Sequence, residues 1–345
     1  MAEVDTLDRV RRAVAGLVSG DRAAWQSDWH RLGRMPSKRT VGLARLTQFG
    51  VAEHHTTMTL PHLHSTPMSA MSLTSTADDT DWFVASALSV LDRDLRLRDA
   101  DDARIWRELA HARREDSATV RCRIGVSAAF ENLQRGIEPP RSGRYNVHYF
   151  DDIAMIGGVA AGLRHAGDAR AAQQSAERFS ATHGDDGLWA AQATAALVAT
   201  LDGSASIGAA VDAARGALPE GSWVARVVTE AADAAEAVED PRARAEVLQR
   251  SLVDPVYSYT SIAPETLGLL LAHLTGADSA QDFLLGIALH PRHQDTLLAL
   301  GGAVAALAYD AAWPLSVPQL PELDGVTIAA LRGVSLERIA ALLAE

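Results

Sequence analysis

The sequence predicts an all-α protein, and three observations carry that prediction. Apolar residues recur at helical spacing along most of the chain from Asp79 onward. Aromatics are scarce, at 5%, while alanine is abundant, which suits close-packed helices better than a β-sandwich. No Gly/Ser-rich linker interrupts the 345 residues, so residues 1–345 are expected to form a single domain.

The elements follow in order. A first helix is expected from Leu7 to Ser19, with Leu7, Val10, Val14 and Leu17 on one face, Thr6 as N-cap and Gly20 as its end. The stretch to Thr76 is irregular, broken by Pro36, Pro61 and Pro67, with a short strand or extended loop over Thr56 to Leu63. From Asp79, residues Trp82, Val84, Ala85, Leu88 and Leu91 mark a strong helix. Helices over Ala103 to Arg114 and Asp116 to Gly136 follow, the second stopping before Pro139-Pro140. The next, Asp152 to His165, carries Gly157, Gly158, Ala160, Ala161 and Gly162, small enough for close backbone contact.

Further helices are expected near 168–181, 185–201, 205–217, 221–237, 241–253, 264–275, 279–289 and 294–309. Trp313 to Val326, with Pro314, Pro318 and Pro321, reads as a loop before a short last helix near Leu336. The helices differ in length and lack a fixed period, which excludes a solenoid.

Composition narrows the function. A net charge of −12 argues against a nucleic-acid surface, which needs a basic patch. Cys122, the sole cysteine, has no internal disulfide partner and suits a reducing compartment. Met1 to Asp8 carries Glu3, Asp5 and Asp8 and no apolar signal segment, and no apolar run nears the ~20 residues that span a bilayer. A cytoplasmic protein without membrane or nucleic-acid partners is expected; oligomeric state carries no signal.

Two acidic stretches stand out, Ala77-Asp78-Asp79-Thr80-Asp81 and His293-Gln294-Asp295-Thr296, each opening a helix. Acids there can cap the helix and complement its dipole. Paired, they also offer a split oxygen-ligand set for hard divalent cations.

In chain order, five segments resemble the ADP-ribosylglycohydrolase superfamily. Ala15-Gly16-Leu17-Val18-Ser19-Gly20-Asp21 resembles its opening Gly-Leu-x-x-Gly-Asp segment, and Asp78-Asp79-Thr80 its first metal motif. Arg141-Ser142-Gly143 through Met155 is similar to the middle segment, and Ala181-Thr182-His183 matches its Thr-His. Asp295-Thr296-Leu297-Leu298-Ala299-Leu300-Gly301-Gly302-Ala303 is similar to the closing signature. The resemblance implies a single-domain orthogonal helical bundle with a central cleft for two Mg²⁺ or Mn²⁺ ions. It also implies hydrolysis of an N- or O-glycosidic bond at the anomeric carbon of ADP-ribose, in a small-molecule or ADP-ribosylated substrate. Metal ligands would be Asp78, Asp79, Asp295 and Thr296; Asp79, Asp295 and His293 would be catalytic. Substrate contacts would come from His183, Asp151, Asp152, Asn146 and His148, with Arg141, Arg144 and Tyr145 further candidates on the same loop.

The chain departs from that pattern at three places. Ala77 stands where the family has a Ser or Thr ligand, and His293 where it has an Asp. Imidazole is a poor Mg²⁺ ligand but suits Mn, Fe or Zn, and His293 could instead move protons. These losses would weaken a site for two Mg²⁺ ions, so one or two ions are expected. Phe150-Asp151-Asp152 replaces a Gly-Asn-Gly loop, and two carboxylates there would repel a diphosphate unless a cation intervenes. Asp151 and Asp152 would otherwise cap the following helix. A non-hydrolytic member, or an enzyme repurposed for a neutral or cationic ligand, is therefore a competing reading.

The remaining patterns are structural for the most part. His54, His55, His62 and His64 could bind a transition metal but lack a Cys or Glu at fixed spacing. Asp92, Asp94, Asp99, Asp101 and Asp102 interleave with Arg93, Arg96, Arg98 and Arg104 as a solvated face. Trp25 and Trp29 are expected to pack, and Cys122 to be buried on a helix face with Ala118 and Val126. Asp78-Asp79-Thr80-Asp81 also resembles the aspartate-rich motif of isoprenoid synthases, without their second Asn/Ser/Glu motif.

Overall fold

In the computed structural model the described residues are 6–34, 76–101, 103–203, 205–253, 261–290, 292–309 and 320–345. The expected strand over Thr56 to Leu63 and the cluster of His54, His55, His62 and His64 lie outside them, as do the side chains of Trp25 and Trp29. Among these residues there are isolated β-bridges and no strand, so the all-α prediction holds. The α-helices are α1 (Thr6–Arg34), α2 (Asp78–Val90), α3 (Arg104–Glu115), α4 (Ile124–Gln134), the single turn α5 (Arg141–Arg144), α6 (Ile153–Arg164) and α7 (Ala169–Ala176). They continue as α8 (Asp185–Asp202), α9 (Ile207–Gly216), α10 (Trp223–Ala235), α11 (Pro241–Leu252), α12 (Ala263–Thr275), α13 (Ala280–Ala288), α14 (Gln294–Ala308) and α15 (Leu336–Ala344).

The helix expected over 168–181 ends at Ala176 and continues as a 3-10 helix, Glu177–Ala181; two further differences have a clear physical reason. Gly20 does not end α1, which runs on to Arg34. A Cβ on Gly20 would sit 1.9 Å from the Leu298 carbonyl oxygen, and one on Gly16 2.1 Å from that of Gly302. These glycines allow α1 and α14 to meet backbone to backbone, a packing role rather than a stop signal.

The other lies at residues 116–123, which are not helical. Asp116 Oδ1 accepts the Ala118 N–H in a local turn, and the backbone then pairs with the C-terminal segment. Arg121 N donates to Thr327 O at 2.8 Å and Ala329 N to Thr119 O at 2.9 Å. Cys122 accordingly precedes α4 and is half-buried, with burial pushing its thiol up to about 11.

Elsewhere the expected packing is present. Gly158 and Gly162 let α6 lie against α8, where a Cβ on Gly158 would be 2.4 Å from the Ala191 carbonyl oxygen. One apolar cluster includes Val10, Val14 and Leu17 of α1, Phe83 and Leu88 of α2, Met155 and Ile156 of α6, Leu197 of α8, Leu267 of α12 and Leu300 of α14.

Asp168, Ser206, Ser222, Asp240, Ser279 and Ser335 each cap their own helix through a side-chain oxygen. Helices α2, α4, α6, α12 and α14 begin with no such bond, as do α3, α5 and α8. The N-terminal turns of α2, α4, α6, α12 and α14 meet at one cleft, where Asp21 accepts the Thr80 N–H and the Phe150 carbonyl the Ala263 N–H.

Candidate active site

The cleft floor begins with Asp21 of α1, which is completely buried. Its Oδ2 accepts from the Thr80 N–H at 2.8 Å and from the Thr80 hydroxyl at 2.5 Å. Ala77 has no side chain to cap α2, so Asp21 caps it from another helix. Asp78 and Asp79 therefore serve no capping role; Asp79 is fully buried and Asp78 half-buried. Asp81 points the other way, its Oδ2 accepting from Thr327 N at 2.7 Å and Ile328 N at 3.0 Å, which anchors the C-terminal segment to α2. Asp295, in the first turn of α14, completes the floor: oxygen atoms of Asp21, Asp79 and Asp295 all lie within 4.8 Å of one another.

The centre of the cleft holds a residue that sequence reasoning missed. Arg123, at the N-cap position of α4, sends its guanidinium between the two acidic groups. One terminal nitrogen donates to Asp295 Oδ2 at 2.8 Å, Thr296 Oγ1 at 3.0 Å and Asp79 Oδ1 at 3.4 Å. The other donates to Asp152 Oδ1 at 2.6 Å and Asp151 Oδ1 at 3.4 Å. Burial works against its charge, but Asp152, Asp79, Asp151 and Asp295 outweigh it and hold the group firmly protonated.

Asp151 and Asp152 form the opposite wall and are both buried. Asp151 Oδ1 accepts the Ile153 N–H at 3.1 Å, part of the expected capping role. Asp152 does not cap; its Oδ2 accepts from the Thr266 hydroxyl at 2.7 Å and its Oδ1 from the Thr296 hydroxyl at 3.2 Å. The expected repulsion of a diphosphate by this pair is thus answered within the protein, by Arg123 and the two threonines. Behind the wall, His293 is 1% exposed and its Nε2 lies 2.7 Å from Glu265 Oε2 on α12.

The other predicted contacts lie along the 141–148 loop and the start of α8. Asn146 is buried, its Nδ2 donating to Gly125 O at 2.7 Å and Thr182 O at 3.1 Å while its Oδ1 accepts the His148 N–H at 2.9 Å. His148 is half-buried with its ring edge-on to Phe150, which in turn meets Trp223. His183 is buried with Nδ1 2.9 Å from the Thr182 hydroxyl and no partner on Nε2. Burial pushes it down to about 3, so it is neutral at physiological pH. Arg144 pairs with Asp185 at 3.1 Å, and the Arg141 guanidinium lies over the Tyr145 ring.

Six carboxylates thus share one cleft with one guanidinium. Burial, then the charge of Asp295, pushes Asp78 and Asp79 well above the usual carboxylate range. Burial raises Asp21 to about 7 against the pull of the Thr80 hydroxyl. Four carboxylate oxygens take no hydrogen bond: Asp21 Oδ1, Asp78 Oδ1, Asp79 Oδ2 and Asp295 Oδ1. Buried anionic oxygens without donors are costly unless a cation supplies what is missing. An all-oxygen carboxylate set fits a hard divalent ion, and the Asp21, Asp79 and Asp295 triad can hold one.

The ADP-ribosylglycohydrolase family model matches residues 2–343. The chain belongs to the ADP-ribosylglycohydrolase family. Among solved structures, one described as an ADP-ribosylglycohydrolase-related protein complex superposes with a TM-score of 0.56 at 18% identity, covering 99% of this chain and 97% of that one. That likeness establishes the shared fold. No curated protein matches the chain. Within this glycohydrolase family, Asp21 falls in the opening Gly-Asp segment, a position whose place on the cleft floor the linear motif did not disclose. Arg123, Thr266 and Glu265 lie in none of the family-like segments quoted above.

Proposed function

We propose that the chain is a hydrolase of a ribosyl N- or O-glycosidic bond, acting on an ADP-ribosylated or related small-molecule substrate with Mg²⁺ or Mn²⁺. The carrying observation is the convergence of Asp21, Asp79 and Asp295 from three helices, with carboxylate oxygens within 4.8 Å of one another and one buried oxygen on each without a hydrogen-bond partner. Cleavage at an anomeric carbon develops positive charge on the sugar ring, and buried carboxylates without donors are well suited to face it. Asp78, half-buried at the edge of the floor, is the group to accept a proton from the attacking water. Arg123 and Thr296 keep Asp295 in place, and Asp152 holds Arg123. A bound ion would polarise water and anchor the ribose hydroxyls.

The test is incubation with ADP-ribosylated peptide and free ADP-ribosyl compounds in Mg²⁺ or Mn²⁺, with mass spectrometry of the released sugar. Metal-dependent release that Asp295→Ala abolishes is expected; no release, or release untouched by that change, overturns the reading. A second reading, ligand binding without hydrolysis, is favoured by the guanidinium standing in the middle of the acidic cleft. It predicts thermal stabilisation by ADP-ribose or metal without turnover.

A further inference from the structure

The distribution of hydrogen bonds in the cleft is unequal, and it bears on how many ions the site takes. On the wall formed by Asp151 and Asp152, the oxygens are served: Asp152 by Arg123, Thr296 and Thr266, and Asp151 by Arg123 and the Ile153 N–H. All four carboxylate oxygens of the cleft that lack a donor are on the opposite side, on Asp21, Asp78, Asp79 and Asp295. Two of those residues, Asp21 and Asp79, are completely buried, so water cannot supply the missing donors from bulk solvent.

Arg123 cannot supply them either. Its two terminal nitrogens already reach five acceptors, Asp79 Oδ1, Asp151, Asp152, Asp295 Oδ2 and Thr296. From Asp79 and Asp295 it takes one oxygen each and leaves the other bare. A guanidinium is a permanent cation with a planar fork, so it bridges carboxylates from two walls as a divalent ion would, without exchanging with solvent.

We infer that Arg123 is a resident cation standing in for one metal ion, so that the cleft binds a single divalent cation, on the Asp21, Asp78, Asp79 and Asp295 side. The inference rests on the metal-binding part of the proposed function and not on hydrolysis.

The experiment is Mn²⁺ binding to the full chain, by equilibrium dialysis with metal analysis and by electron paramagnetic resonance. One Mn²⁺ per chain is expected, with the spectrum of an isolated ion. Two ions per chain with a spin-coupled spectrum, or none bound, overturns the inference. Asp79→Asn should lose the ion. Arg123→Ala should rise to two ions with spin coupling, and Arg123→Lys should stay at one. Should Arg123→Ala fail to fold by circular dichroism, Arg123→Gln removes the charge with less loss of volume and carries the same expectation. A charge-removing variant that folds and still takes one ion overturns the assignment to Arg123. Binding of one ion without release of sugar would retire the hydrolase reading and leave this one intact.

Discussion

Asp21 on α1 holds the first turn of α2 through Thr80, accepting both its N–H at 2.8 Å and its hydroxyl at 2.5 Å. A floor residue of the cleft is therefore also the cap of a helix that begins with alanine. Asp21→Ala should cost about 1–2 kcal/mol in chelator, the range for a lost cap, because both Thr80 groups lose their acceptor. Asp21→Asn, which keeps an acceptor oxygen, should cost less. Urea melts of the three proteins compare the two effects.

Removing Arg123 exposes the cost of the charges it serves. Arg123→Ala leaves Asp152 and Asp151 buried without their cation, and breaking such a cluster costs roughly 3–5 kcal/mol. Saturating Mn²⁺ should return part of that loss, because an ion that binds only the folded state stabilises it by mass action. Denaturant midpoints with and without Mn²⁺ measure the recovery.

The buried pair His273 and His290, Nε2 to Nε2 at 2.9 Å, should show in the acid limb of stability. Burial pushes His273 down to about 3, and burial with the neighbouring imidazoles carries His290 well below its ordinary value. Between about pH 6.5 and 3 the unfolded chain binds protons at these sites that the folded chain refuses, so acidification destabilises the fold. His273→Gln removes one such group. The stability gap between wild type and variant should therefore narrow as pH falls from 7 to 4, measured by denaturant melts. A constant gap would contradict neutral burial.

Asp94 should show the opposite sign. Arg98, through its side chain and N–H, and the Arg96 N–H pull it down to about 2, against burial. Its stabilisation is present above the ordinary carboxylate value and fades as pH falls toward 2. Asp94→Asn should be less stable than wild type at pH 7, with the difference closing below pH 4. The loop from Asp92 to Ala100, expected from sequence to be a solvated face, is thus organised around one carboxylate.

Most of the fold could be read from the sequence because apolar periodicity is a local signal, and α2, α3, α6, α8 and α10 to α14 lie within a few residues of expectation. Gly20 misled because its role depends on α14, nearly three hundred residues away. The family-like segments pointed to Asp79 and Asp295, which the structure brings together, and contained Asp21 without marking it. Arg123 carried no local sign. Reading 116–136 as one helix placed it mid-helix, whereas the backbone bridges Val120 to Ile328 and stays extended to Arg123, which stands at the N-cap of α4. Thr266 and Glu265 were hidden in the same way, as polar residues in the first turn of an apolar helix.

The contact of Gly16 with Gly302 and of Gly20 with Leu298 makes the spacing of α1 and α14 across the cleft floor a main-chain dimension. Asp21 follows Gly20 directly, and Asp295 stands one helical turn before Leu298. With no side chains between the helices, no rotamer change can widen or narrow the gap between those carboxylates. The backbone is the ruler. A methyl group added at Gly20 would lengthen it while leaving Asp21 and Asp295 themselves unchanged.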